Sequence, residues 1–390
     1  VDPITALLHE VLEGVRPHDS GAPAGYIPEL AAADPNLLAL AAVGPHGRVR
    51  AVGDVTHEFT IQSISKPFVL ALAIADRGRE AVLHKVGAEP SGEPFNAISL
   101  EPGTGRPANP MVNAGAIATS ALIHGEGVDD RTARIVEGLS AFAGRSLWVD
   151  ERVYASESAT GDRNRALAHL LRSHGIIDGS VDIAVETYFR QCSLLVTARD
   201  LAVMAATLAF GGLNPVTNER VVAEHVARDV LSIMTSCGMY DYSGEWLLRV
   251  GLPAKSGVSG GLMAVAPSQF GVAAFSPRLD AHGNSVRGIA VIETLSERFG
   301  MHLLEPHDSV AVPAFTIDDT DHGRVLRLSG ELGLAGTERV VAVLRELADA
   351  MPEGAAVTVD ARELGRTHRE ALIALRAEFE RMPRSFTLRE

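Results

Sequence analysis

Lysine is almost missing from this chain. Of its 35 basic side chains only Lys66, Lys85 and Lys255 are lysine, and the rest are arginine. Arginine keeps its proton at any physiological pH, whereas a buried lysine gives it up. The few lysines are therefore candidates for proton transfer. Cysteine is scarce as well, with only Cys192 and Cys237. Two cysteines cannot make a disulfide framework, and neither has the spacing or the neighbouring histidines of a zinc site. His169 and His174 have no third ligand near them in sequence and read as a partly exposed pair, so neither metal nor cofactor is expected. Positive charge is also short. A formal net charge of −14 argues against nucleic acid as a partner and leaves no polybasic patch for a membrane surface. No uninterrupted apolar run is long enough to cross a bilayer, and the first residues lack the basic-then-apolar pattern of a signal peptide. The expected compartment is the cytoplasm.

The 390 residues, 46% of them hydrophobic, suffice for two domains with sizeable cores. Residues 37–43 form an apolar run, 44–47 a turn and 48–52 an alternating stretch, which together predict a hairpin. A third strand is expected over 58–61, leading into a helix from about residue 63. That helix is apolar all round over 67–75, so it should be buried. Helical patterns dominate from 110 to 235, including 129–143, 164–173, 182–191 and 198–210. Strands return at 259–266 and 270–276, and 286–299 reads as a closing helix. The expected fold is α+β: an antiparallel sheet flanked by helices, with a helical subdomain inserted over about 76–235. Residues 1–304 form this first domain, 305–313 a linker, and 314–390 a small α/β module. Its strands are expected at 325–328 and 357–360, and its helices at 337–351 and 368–381.

The strongest local signal is Gln62-Ser63-Ile64-Ser65-Lys66-Pro67. Ser63 and Lys66 are three apart and share a helix face. Pro67 is tolerated only in a first turn, which places Ser63 at the helix start with its N–H turned outward and the positive dipole end nearby. A serine hydroxyl is a weak nucleophile until a base takes its proton. A lysine one turn on, neutralised by burial, can be that base. An SxxK pair alone is commonly a surface helix start. Here the apolar flanks, the proline and the scarcity of lysine point to an acyl-transfer centre. A second motif, Lys255-Ser256-Gly257-Val258-Ser259-Gly260-Gly261, precedes a predicted strand. Lysine, hydroxyl and glycine in this order accompany SxxK in the serine β-lactamase and penicillin-binding class. The backbone N–H of Val258 is a candidate second oxyanion donor.

Further runs complete a resemblance to the serine-dependent glutaminase family. They are Tyr26-Ile-Pro-Glu-Leu30, Asn109-Pro-Met-Val-Asn113-Ala-Gly-Ala116, Ser156-Glu157 with Gly161-Asp-Arg-Asn164, Tyr188-Phe with Cys192-Ser, and Met239-Tyr240-Asp241 followed by residues 251–257. The similarity runs over about residues 20–300. It implies a serine β-lactamase/transpeptidase-like fold and hydrolysis of L-glutamine to L-glutamate and ammonia. It also implies roles: Ser63 as nucleophile, Lys66 as its base, Tyr240 as proton relay to the departing ammonia, and the N–H groups of Ser63 and Val258 as oxyanion hole. Asn113, Glu157, Asn164 and Tyr188 would hold the ends of the substrate, with Tyr26, Gln62 and Lys255 lining the pocket. A zwitterion needs an acceptor for its ammonium, which Glu157 supplies, and donors for its carboxylate, which asparagine and tyrosine supply. Membership further implies a homo-oligomer. Two alternatives share parts of the pattern: a penicillin-interacting serine hydrolase on the same scaffold, and a signalling protein whose enzyme domain is inactive.

Residues from about 312 resemble a STAS domain through residues 325–332 and 357–360. The phosphorylated serine of that family's signalling members is absent: the corresponding stretch is Thr367-His368-Arg369-Glu370-Ala371. The expectations are a regulatory partner or ligand bound there, or a passive oligomerisation module.

Overall fold

The computed structural model describes residues 2–92, 98, 100–305, 314–320, 323–350, 356–367, 369–381 and 386–389. It divides into two compact units, one of residues 12–293 and one of residues 1–11 with 294–390.

In chain order come α1 (Pro3–Val15), α2 (Pro28–Ala31), and the hairpin of β1 (Ala39–Val43) and β2 (Val49–Gly53). Next, β3 (Phe59–Thr60) runs through the 3-10 turn Gln62–Ile64 into α3 (Ser65–Arg77). The helical stretch continues with α4 (Arg79–Lys85), α5 (Asn113–Leu122), α6 (Val128–Ala143), α7 (Glu151–Thr160), α8 (Asp162–Ser173) and α9 (Val181–Cys192). After β4 (Leu195–Val196) follow α10 (Ala198–Ala209), α11 (Glu224–Cys237) and α12 (Ser243–Arg249). Then β5 (Ala254–Ser256), β6 (Gly261–Ala266) and β7 (Phe270–Phe275) return to the sheet, before α13 (Val286–Phe299).

Strands β2-β1-β7-β6-β5 make one sheet, antiparallel at every pairing. β1, β6 and β7 are buried along their whole length, which is why they read as apolar runs rather than as alternation. The alanine-rich α10 packs on β7, β1 and β6. Helix α3 is buried at every position from Ser65 to Ile74, among α5, α6 and α11. Phe68, Leu70 and Leu72 are at most 1% exposed, each contributing about 1.5–3 kcal/mol by leaving water. This anchoring fixes the residues at its N-terminus.

The strand expected at 58–61 shortens to β3 and does not join the main sheet. It pairs with β4, and the Ile61 N–H donates to the Leu194 carbonyl at 2.8 Å as the chain turns into α3. Lys255 and Ser256, expected just ahead of a strand, are themselves in edge strand β5.

The second unit contains β8 (Ala314–Thr320), β9 (Gly323–Leu332), α14 (Leu334–Ala350), β10 (Val357–Thr367), α15 (Arg369–Phe379) and β11 (Phe386–Arg389). The sheet order is β11-β10-β9-β8, parallel between β9, β10 and β11 and antiparallel between β8 and β9. Leu326, Leu328, Val340, Leu344, Val357, Val359 and Leu375 form its core. Residues 306–313 of the expected linker, and the side chains of residues 365–370, lie outside the described residues.

Candidate active site

The site lies where α3 begins. Two non-glycine residues there hold positive φ, Gln62 at 50° and Tyr240 at 58°. Such conformations cost about 1–3 kcal/mol each and persist only where the surroundings enforce them. Gln62 directly precedes Ser63, which is 7% exposed. The Ser63 hydroxyl is hydrogen-bonded to the Tyr240 phenol. The phenol donates onward to the Ser256 carbonyl at 3.1 Å. Burial pushes the Tyr240 phenol above its ordinary range, so it stays protonated.

Lys66 is 1% exposed. Its Nζ donates to Asn113 Oδ1 at 2.8 Å and to the Met111 carbonyl at 3.1 Å. Desolvation lowers its pKa to about 8. Lys255 is fully buried, with Nζ 2.8 Å from the Ser256 carbonyl and 3.8 Å from the centre of the Tyr240 ring. Burial first, and then the Lys66 charge, push Lys255 well below lysine's usual value. Both lysines of the sequence motifs therefore flank Tyr240, each biased toward the neutral amine.

The expected substrate cradle assembles in two linked groups. Tyr188 Oη donates to Asn113 Oδ1 at 3.3 Å, and Asn113 Nδ2 donates to Asn164 Oδ1 at 3.1 Å. Glu157, 8% exposed, accepts from Tyr26 Oη at 3.0 Å and from Gln62 Nε2 at 3.1 Å. Burial raises the Glu157 pKa, and the hydrogen bonds from Tyr26 and Gln62 oppose that shift. Tyr26 is half exposed, yet its hydroxyl points inward to Glu157 and Gln62. Gln62, bonded to Glu157, directly precedes Ser63, and Lys66, bonded to Asn113, lies three residues after it, so both groups meet at the start of α3.

Val258 follows Gly257 of the second motif. A Cβ on Gly257 would sit 3.1 Å from the Ile61 carbonyl, so a glycine lets this backbone lie against the turn that carries Ser63. The Val258 side chain packs with Ile27 and Leu279.

Several contributors were not singled out from the sequence. The Met111 carbonyl, Thr60 and Ser65 bond directly to Lys66 or Gln62, while Gln191 bonds to Ser65 and Asn284 to Ser256. Only Gln191 carried a readable signal: with Cys192 it follows Tyr188 at helical spacings of three and four, on the same face of α9. Both cysteines are free and buried. Cys192 lies against Ser65 and Tyr188, with its thiol pushed up to about 12 by burial.

A buried serine beside the start of a helix, two lysines with lowered pKa and a buried carboxylate among amides and phenols are groups from which a hydrolase site can be made. Comparison with known proteins makes this specific. The Glutaminase family profile matches residues 21–304. The glutaminase of Corynebacterium efficiens is 49% identical, covering 86% of this chain and 80% of that one. That of Corynebacterium glutamicum is 44% identical, covering 97% and 92%. Among solved structures, Mglu aligns at a TM-score of 0.77 and 41% identity, covering 100% of this chain and 98% of that one. A probable glutaminase of Bacillus subtilis aligns at 0.72 and 33%, covering 76% and 97%. The chain belongs to the glutaminase family, amidohydrolases that convert L-glutamine to L-glutamate and ammonia.

Proposed function

We propose that this chain hydrolyses L-glutamine through an acyl-enzyme on Ser63. The observation that carries the mechanism is the bonding of Lys66. A neutral amine has two N–H donors and one lone pair, and Met111 and Asn113 take the two donors. The lone pair is left for the Ser63 proton one helical turn back. Ser63 Oγ attacks the side-chain amide carbon, and the oxyanion rests on the N–H groups of Ser63 and Val258. Tyr240, bonded to Ser63 and kept protonated, passes a proton to the departing ammonia. Water then attacks the γ-glutamyl ester, and the proton path runs in reverse.

Glu157 accepts from the substrate ammonium, replacing bonds it now receives from Tyr26 and Gln62. Asn113, Asn164 and Tyr188 donate to the α-carboxylate. Lys255 backs the Tyr240 ring. The test is Ser63→Ala: ammonia release should fall to background while L-glutamate still raises the melting temperature. Near-normal turnover would remove the mechanism.

The division into residues 1–304, 305–313 and 314–390 belongs to the same reading, supported by the end of the family match at residue 304. A mixed sheet with two helices supports a STAS-like C-terminal module, with regulation by a bound ligand or partner, or assembly of a homo-oligomer, as its role. No helix among the described residues is long and apolar enough to cross a membrane. The cytoplasm is the proposed compartment.

A further inference from the structure

Behind the nucleophile runs a chain of buried side-chain bonds that no step above uses. Ser120 Oγ on α5 donates to Gln191 Oε1 on α9 at 2.9 Å. Gln191 Nε2 donates to Ser65 Oγ at 3.1 Å, and Ser65 Oγ donates to the Gln62 carbonyl at 2.7 Å. Ser65 and Ser120 are fully buried, and Gln191 is 1% exposed. The chain ends on the one residue before Ser63, whose backbone is held at positive φ.

We propose that Gln191 is a positioning residue, holding the strained Gln62–Ser63 peptide in its reactive orientation through Ser65. This rests on the reading of Ser63 as nucleophile. The Gln62 carbonyl and the Ser63 N–H belong to one peptide plane. A bond that fixes the carbonyl therefore fixes the direction of an oxyanion donor and of the serine that carries it. Relaxing the left-handed turn at Gln62 would rotate that plane, and the Ser65 bond opposes the rotation. Gln191 orients the Ser65 hydroxyl by donating to its oxygen, which occupies a lone pair there while the hydroxyl hydrogen goes to the Gln62 carbonyl. Apolar side chains would fill this space without leaving a buried polar atom to satisfy. The polar chain links α5 and α9, which carry Asn113 and Tyr188 of the cradle, to the peptide that reacts.

The test is a kinetic cycle with Gln191→Leu, Ser65→Ala and the double variant, beside Ser63→Ala. Gln191→Leu should lose about 10- to 100-fold in kcat, the scale of a small misplacement at the reacting centre, with KM and L-glutamate binding within about 3-fold of the parent. Because both side chains act through one carbonyl, the double variant should be no slower than the slower single variant. If Gln191→Leu does not fold, Ser65→Ala carries the same expectation, since it removes a single oxygen. A kcat within about 2-fold of the parent for the folded variants, a loss carried by KM, or multiplicative losses in the double variant would overturn the proposal. Turnover by Ser63→Ala would instead remove the nucleophile reading beneath it.

Discussion

Asn113 Oδ1 sits 2.8 Å from Lys66 Nζ and also accepts from Tyr188 Oη at 3.3 Å, so one amide oxygen ties the proposed base to the proposed substrate cradle. The bond joins a neutral side chain to an amine whose pKa burial has lowered to about 8. A carboxylate in the same place would favour the charged amine and raise that value. Asn113→Asp should therefore displace the pH–kcat/KM profile to the alkaline side, where the parent is already fully active. An unmoved profile would separate Lys66 from the base.

The parent profile itself follows from the direction of the shift. As the proposed base, Lys66 acts only as the neutral amine, so activity should rise with pH through about 8 and fall as protonation returns below it. Lys66→Arg should abolish the limb, with kcat lower by about 10²- to 10⁴-fold, because guanidinium does not deprotonate. An arginine variant within 10-fold of the parent would assign the base elsewhere, with Lys255 the next candidate.

Glu157 gives the opposite pH dependence in KM. Its carboxylate must be charged to hold an ammonium, and burial raises its pKa, so KM should climb as pH falls toward the acid range earlier than for an ordinary glutamate. Glu157→Gln should raise KM about 10- to 100-fold, the scale of a charge-assisted hydrogen bond, and flatten the acid dependence. Steady-state kinetics between pH 5 and 8 read both effects.

Gly115 tests how the cradle is anchored. A Cβ there would lie 1.9 Å from the Asn109 carbonyl, two residues past Asn113 in the first turns of α5. Gly115→Ala should cost about 1–3 kcal/mol of stability by overpacking, with KM rising as Asn113 shifts. A melting temperature equal to the parent's would show that the loop gives way without strain.

Much of this was legible in the chain. The burial of Lys66 and Lys255 close to Tyr240 was foreshadowed because both lysines stand in short motifs defined by residue type and spacing. α3 was readable because an all-round apolar pattern leaves only a buried helix. The pairing of β3 with β4 was not readable, since two-residue strands carry no periodicity. β8 and β11 were missed for a related reason: they pair at the edges of the small sheet, where burial imposes little pattern. The polar chain through Ser120, Gln191 and Ser65 spans three helices, and no spacing in the sequence announces which buried polar side chains will face one another.

The most direct measurement is mass analysis of the peptide bearing Ser63 after acid quench of the enzyme turning over L-glutamine. A γ-glutamyl ester on that residue, absent from Ser63→Ala and reduced in Lys66→Arg, is the result expected of the parent. Turnover at the parental rate in the Ser63→Ala enzyme, with no adduct on either, would contradict it.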